Sequence, residues 1–95
     1  MAVIYKYLIE PGYPTKITMP KGAEILTVHT QGDDAFLWAE VPGGPSLTED
    51  RYFDVIPTGV EFHTESVEDR LFIGTIFFNN GLVFHIYERM NLIFV

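Results

Sequence analysis

Few side chains in this sequence can carry chemistry near neutral pH. His29, His63 and His85 are its histidines, and histidine is the side chain that titrates in this range without perturbation. His63-Thr64-Glu65 places two ligand-type groups at i and i+2, which share one face if the stretch is extended. A catalytic zinc takes three protein ligands, so His85 with Glu88, or His29, would have to complete the set through folding. The plainer readings are a surface histidine beside an acid for His63, and a half-buried, hydrogen-bonded histidine within an apolar strand for His85. Asp33-Asp34, Glu49-Asp50 and Glu68-Asp69 are adjacent acid pairs. Neighbours on a strand point to opposite faces, so these read as solvated charge rather than as an acid/base dyad. The chain has no cysteine, which removes thiol nucleophiles, disulfides and thiolate metal sites. It has no phosphate-cradling glycine motif and no G-x-S-x-G elbow. The expectation is a protein with no catalytic residue, no metal and no cofactor.

Aromatic residues offer a second kind of site. Trp38, the sole tryptophan, could join Tyr5, Tyr7, Phe36, Tyr52 and Tyr87 in a stacking surface for a flat ligand. The polar residues beside them are Lys6, Gln31, Arg51, Thr58, Gly59, Thr75 and His85. From these, Trp38, Arg51, Thr58, Gly59, Thr75 and His85 form the candidate ligand-binding set. Core packing is the competing account of the aromatics in a small β domain.

The elements that must position these residues have a period of two, the signature of strands. Val3 to Ile9 is β-branched and aromatic, and Pro11 and Pro14 close it. Thr15 to Met19 is a short second strand, ended by Pro20-Lys21-Gly22. From Ala23 to Thr30, strict alternation sets Leu26, Val28 and Thr30 against Ile25, Thr27 and His29. Gln31-Gly32-Asp33-Asp34 turns the chain, and Ala35 to Val41 returns with Ala35, Leu37, Ala39 and Val41 on one face and Phe36, Trp38 and Glu40 on the other. Ser46-Leu47-Thr48-Glu49 has capping-box form and is expected to hold one helical turn. Arg51 to Ile56 alternates and breaks at Pro57-Thr58-Gly59. Residues 60–70 are polar and read as strand plus loop or a short helix. A second hairpin runs from Leu71 to Phe78, through Asn79-Asn80-Gly81, and back from Leu82 to Arg89. Leu71, Ile73, Thr75 and Phe77 are in phase on its first strand, and Leu82, Phe84, Ile86 and Glu88 on its second. Gly74 within a strand marks a bulge, a bend or a close approach. The fold expected is all-β: six or seven antiparallel strands as a small barrel or sandwich, in a single domain over residues 1–95.

Composition sets the partners. The chain has 95 residues, 47% hydrophobic, with a net charge of −7. That charge repels phosphate backbones, so duplex nucleic acid is not an expected partner. Met1 to Glu10 has one lysine and no long apolar run, unlike a signal peptide or a membrane span. A soluble cytoplasmic protein is expected. The terminal run Leu92-Ile93-Phe94-Val95 would be an aggregation hazard if exposed, which favours burial against a second subunit and hence a homo-oligomer.

Tyr5-Lys6-Tyr7, Met19-Pro20-Lys21-Gly22-Ala23-Glu24-Ile25-Leu26, Leu37-Trp38-Ala39, Ile73-Gly74-Thr75 and Gly81-Leu82-Val83-Phe84-His85-Ile86-Tyr87-Glu88 occur in this order. Together they resemble a widespread family of short, uncharacterised phage and prophage proteins over roughly residues 3 to 89. That family often shows G-T-G-H in its middle, whereas this chain has Thr58-Gly59-Val60. The resemblance implies a phage origin and the cytoplasm of a host cell. It implies no activity.

Three classes of function are consistent with these readings. One is a non-catalytic phage accessory protein, a counter-defence factor that binds and blocks a host protein. Ranked about equally with it is a homo-oligomeric sponge for a small nucleotide signal. A hydrolase using His63 or His85 ranks last.

Overall fold

The computed structural model describes residues 1–63 and 69–90. Seven strands follow one another: β1 (Ala2–Ile9), β2 (Thr15–Pro20), β3 (Glu24–Gln31), β4 (Asp34–Pro42), β5 (Thr48–Pro57), β6 (Arg70–Phe77) and β7 (Val83–Arg89). They form a three-stranded sheet, β1-β4-β3, and a four-stranded sheet, β2-β5-β7-β6. Every pairing is antiparallel. The sheets are not closed into a barrel; the architecture is a sandwich. Among the described residues there is no helix, and so none long and apolar enough to cross a membrane.

The core lies between the inner faces. Leu37, Ala39 and Val41 of β4 meet Met19 of β2, Phe53 of β5, Ile76 of β6 and Ile86 of β7, all buried. The alternation expected for β4 is the one observed. Two glycine turns shape the hairpins. Gly32 begins the loop closed by the Gln31–Asp34 pair and has a φ of 63°, as the first central position of a type II′ turn requires. Gly81 has a φ of 90°, and the Leu82 amide donates to the Asn80 side chain at 3.1 Å.

The helical turn expected at Ser46 to Glu49 is absent. Thr48 and Glu49 open β5, paired with Pro20 and Met19, and the Leu47 carbonyl accepts from the Lys21 amide at 2.7 Å. A capping box nucleates a helix only if an apolar stripe of helical period follows. Here the following residues alternate, and sheet pairing takes the backbone groups. Residues 60–63 carry no regular structure and β6 begins at Arg70; residues 64–68 lie outside the described residues, as does the terminal run 91–95.

Two bulges correct the strict alternation. The register shifts between Ile25 and Thr27, so Ile25 and buried Val28 both pack on the core while Leu26 is exposed. A second shift falls between Phe72 and Gly74. It turns Gly74 and Ile76 inward, opposite Ile86 and Phe84, and leaves Thr75 opposite His85 on the outer face. The expected face of Leu71, Ile73, Thr75 and Phe77 is thereby split, because an extra residue in one strand inverts the phase of all that follow.

Candidate functional site

His85 sits at the centre of β7, with Ile56 of β5 opposite it on one side and Thr75 of β6 on the other. Its Nδ1 lies 3.0 Å from the Thr75 hydroxyl and its Nε2 lies 2.8 Å from the Thr58 hydroxyl. Thr58 is held by its own backbone, donating to the Val83 carbonyl at 3.0 Å. Gly59, at a φ of 86°, lets the chain turn away immediately afterwards. A neutral imidazole carries one donor and one acceptor nitrogen, and a hydroxyl can play either part. The two threonines therefore fix the ring in either tautomer. Both partners are hydroxyls, whereas the arrangement that makes histidine an effective general base orients it with a carboxylate. The geometry holds the ring in place on the outer face between two hydroxyls.

Four of the six sequence candidates, Thr58, Gly59, Thr75 and His85, are thus one cluster. The other two lie elsewhere. Trp38 is on the outer face of the three-stranded sheet, opposite Lys6 in register, and its ring lies 6.2 Å from that of Phe36. The Lys6 ammonium stands 4.5 Å from the Phe36 ring centroid and donates to Gln31 at 2.7 Å. Tyr5 and Tyr7 lie opposite the buried Ala39 and Leu37, on the inner side of the same strands. Tyr87 belongs to the other sheet, 5.3 Å from Phe72. The aromatics therefore occupy separate surfaces.

Arg51 is on the inner side at one open end of the sandwich, in a cleft of about 480 Å³. Its Nε and Nη2 donate to the two carboxylate oxygens of buried Glu88 at 2.6 and 2.8 Å, and its Nη1 donates to the Ala23 carbonyl. The hydrogen bond to Glu88 raises the guanidinium pKa above its ordinary value against the opposing effect of burial, and the charges of Glu88 and Glu49 add to the rise.

Sequence reasoning missed a third cluster. Asp54 is completely buried and accepts from Arg70 Nε at 2.8 Å and Arg89 Nε at 2.9 Å. Tyr13 roofs it: its ring lies 5.0 Å from the Arg89 guanidinium and 5.6 Å from that of Arg70, and its hydroxyl donates to the His63 carbonyl. The available signal was a lone acid inside the apolar run Tyr52-Phe53-Asp54-Val55-Ile56, since a buried acid calls for a paired base. The cations that answer it are 16 and 35 residues away in the chain.

Among the described residues, no three histidine, aspartate or glutamate side chains converge as a metal-ligand set. Thr64 and Glu65, the neighbours invoked for His63, lie outside the described residues.

The chain matches the model of a Domain of unknown function (DUF7352) family over residues 1–92. It belongs to that family. No curated protein and no solved structure matches it. In this DUF7352 domain, then, the sandwich supports a histidine clamped by threonines, two arginine–carboxylate clusters and an aromatic face around Trp38.

Proposed function

We propose that this protein is a non-catalytic binding module whose target is a protein with a basic surface. The observation that carries the reading is the fate of the arginines. Arg51, Arg70 and Arg89 are the only arginines in the chain, and all three are bound to Glu88 or Asp54. The remaining eleven acidic residues are set against three lysines. The fold thus withdraws the side chains best suited to bidentate phosphate recognition and presents a surface more acidic than the composition implies. Such a surface steers a basic partner and disfavours an anionic one, which supports protein capture over a nucleotide sponge. The exposed outer face around Trp38, with Ile4 and Leu8 beside it, supplies apolar contact area of the kind that anchors interfaces. In the phage setting implied by the sequence resemblance, the target is a host protein and the consequence of binding is to block it, as a counter-defence factor does.

The test is affinity capture from host lysate with the intact chain. One stoichiometric partner is expected, bound through Trp38 and released when salt is raised to about 1 M, where the screening length falls to about 3 Å. Trp38→Ser should abolish capture while leaving the fold intact. A nucleotide retained on the purified protein in native mass spectrometry, with no protein captured, would overturn the reading in favour of the sponge.

A further inference from the structure

Among the described residues, strand β1 ends its sheet: β4 is its neighbour on one side and no described strand lies on the other. The phase of its ladder can be read from one bond. The Gly43 amide donates to the Met1 carbonyl at 2.7 Å, and Pro42, opposite Ala2, has no N–H to give. In an antiparallel pair, bonded and non-bonded positions alternate. Val3, Tyr5, Tyr7 and Ile9 therefore bond to β4, while Ala2, Ile4, Lys6 and Leu8 turn their N–H and C=O groups to the open edge. Among the described residues, no backbone hydrogen bond engages that edge.

The side chains of β1 are equally incomplete. Val3 and Tyr5 lie opposite the buried Val41 and Ala39, facing the core side, yet they are 38% and 51% exposed. On the outer side, Ile4 and Leu8 are 58% and 48% exposed. Both faces of the strand thus carry apolar surface in water. Natural edge strands are usually blunted by charge, proline or brevity. This one has eight residues, one lysine, no proline and no acid.

We propose that β1 is the seam of a homodimer, in which two copies of this chain pair antiparallel through their open edges with Tyr5 of one copy opposite Tyr5 of the other. A second copy is the occupant because it presents an edge of the same length and ladder phase, which a two-fold axis matches to the first. The net charge of −7 opposes self-association elsewhere on the surface, whereas β1 contains no acid, so two copies meet there without bringing carboxylates together. The register follows from elimination. Pairing the outward-facing groups of Ala2, Ile4, Lys6 and Leu8 allows a two-fold centre at any residue from Ile4 to Leu8. Centres at Tyr5 and Lys6 give the longest overlap. A centre at Lys6 places two ammonium groups directly opposite, which destabilises a sheet. A centre at Tyr5 places Lys6 opposite Ile4 of the second copy. Since Ile4 lies opposite Glu40 within its own sheet, each lysine then shares a row with a carboxylate of the other copy. One strand lies between them, so the two residues are two strand spacings, about 10 Å, apart along that row, a span that the long lysine and glutamate side chains share. The result is one six-stranded sheet, with Val3, Tyr5 and Tyr7 of both copies packed together on its core side.

Because the chain has no cysteine, single-cysteine variants of the full chain test this cleanly. Tyr5→Cys should oxidise to a disulfide dimer, because directly opposed non-bonded residues have Cα atoms about 4.5 Å apart, inside the disulfide range. Val3→Cys should not, because Val3 lies opposite Tyr7 of the second copy and the two Val3 Cα atoms would be about 14 Å apart in this register. Ile4→Pro removes an amide that points away from β4, so it should leave the circular-dichroism spectrum of the fold and convert the dimer to monomer in sedimentation. If Ile4→Pro fails to fold, the cysteine pair still decides. A wild-type chain that sediments as a monomer at high micromolar concentration would overturn the proposal. So would a dimer that survives in folded Ile4→Pro, or equal cross-linking of Tyr5→Cys and Val3→Cys.

Discussion

A Cβ placed on Gly74 would stand 2.9 Å from Cγ2 of Val28. The two residues lie on β6 and β3, the strands at which one edge of each sheet approaches the other. The approach is pinned by the Thr30 hydroxyl, which donates to the Phe77 carbonyl at 3.1 Å. Glycine at position 74 is therefore a packing requirement, and the bulge beside it aims that missing side chain at the core.

Gly74→Ala should accordingly destabilise the domain by about 1–3 kcal/mol, the usual cost of overpacking a core. Valine is β-branched and stiff at χ1, so Val28 cannot easily swing aside. Urea denaturation of Gly74→Ala, Val28→Ala and the double variant measures the coupling. The double variant should lose less than the sum of the two single losses. Additive losses would show that the two side chains do not compete for the same space.

Asp54 is completely buried and its carboxylate is shared between Arg70 and Arg89. Asp54→Ala leaves both guanidinium groups facing a site they can no longer satisfy. The expected loss is about 3–5 kcal/mol, as for removal of one partner from a buried ion pair. Asp50→Ala provides the contrast: Asp50 is half exposed and 4.0 Å from Lys16, and a pair of that kind contributes about 1 kcal/mol or less. Chemical denaturation of the two variants should separate them clearly, and equal losses would count against the buried cluster.

Tyr7 gives the fold a dependence on alkaline pH. Burial raises its phenol pKa above the ordinary tyrosine value, and Tyr5 adds to the effect. Between the ordinary value, about 10, and the raised one, the unfolded chain releases a proton that the folded chain keeps. The folded state then binds more protons, so stability is full below pH of about 10 and falls as pH rises through that window. Tyr7→Phe should make the decline in melting temperature shallower across this range. An identical decline in the variant would assign the effect to other groups.

Much of this fold is written in local pattern. The alternation of Ala35, Leu37, Ala39 and Val41, the Asn80-Gly81 turn and the absence of any sustained helical stripe determined an all-β architecture of two-residue period, because a strand's faces depend only on the parity of its residues. Gly74 signalled its own bulge and close approach. The capping-box reading of Ser46 to Glu49 failed because a local motif cannot report that Pro20 and Met19, from β2, compete for the same backbone. The clustering of Thr58, Thr75 and His85, the separation of Trp38 and Arg51 from them, and the assembly of Asp54 with Arg70 and Arg89 were decided by tertiary structure alone. Each depends on strand order and register, which at Thr75 opposite His85 a bulge shifts by one residue. Pairing across a sheet is set by hydrogen bonds between distant segments, and a one-residue shift exchanges the faces of every side chain beyond it. The order of residues carries type and parity, whereas contact requires the partner strand.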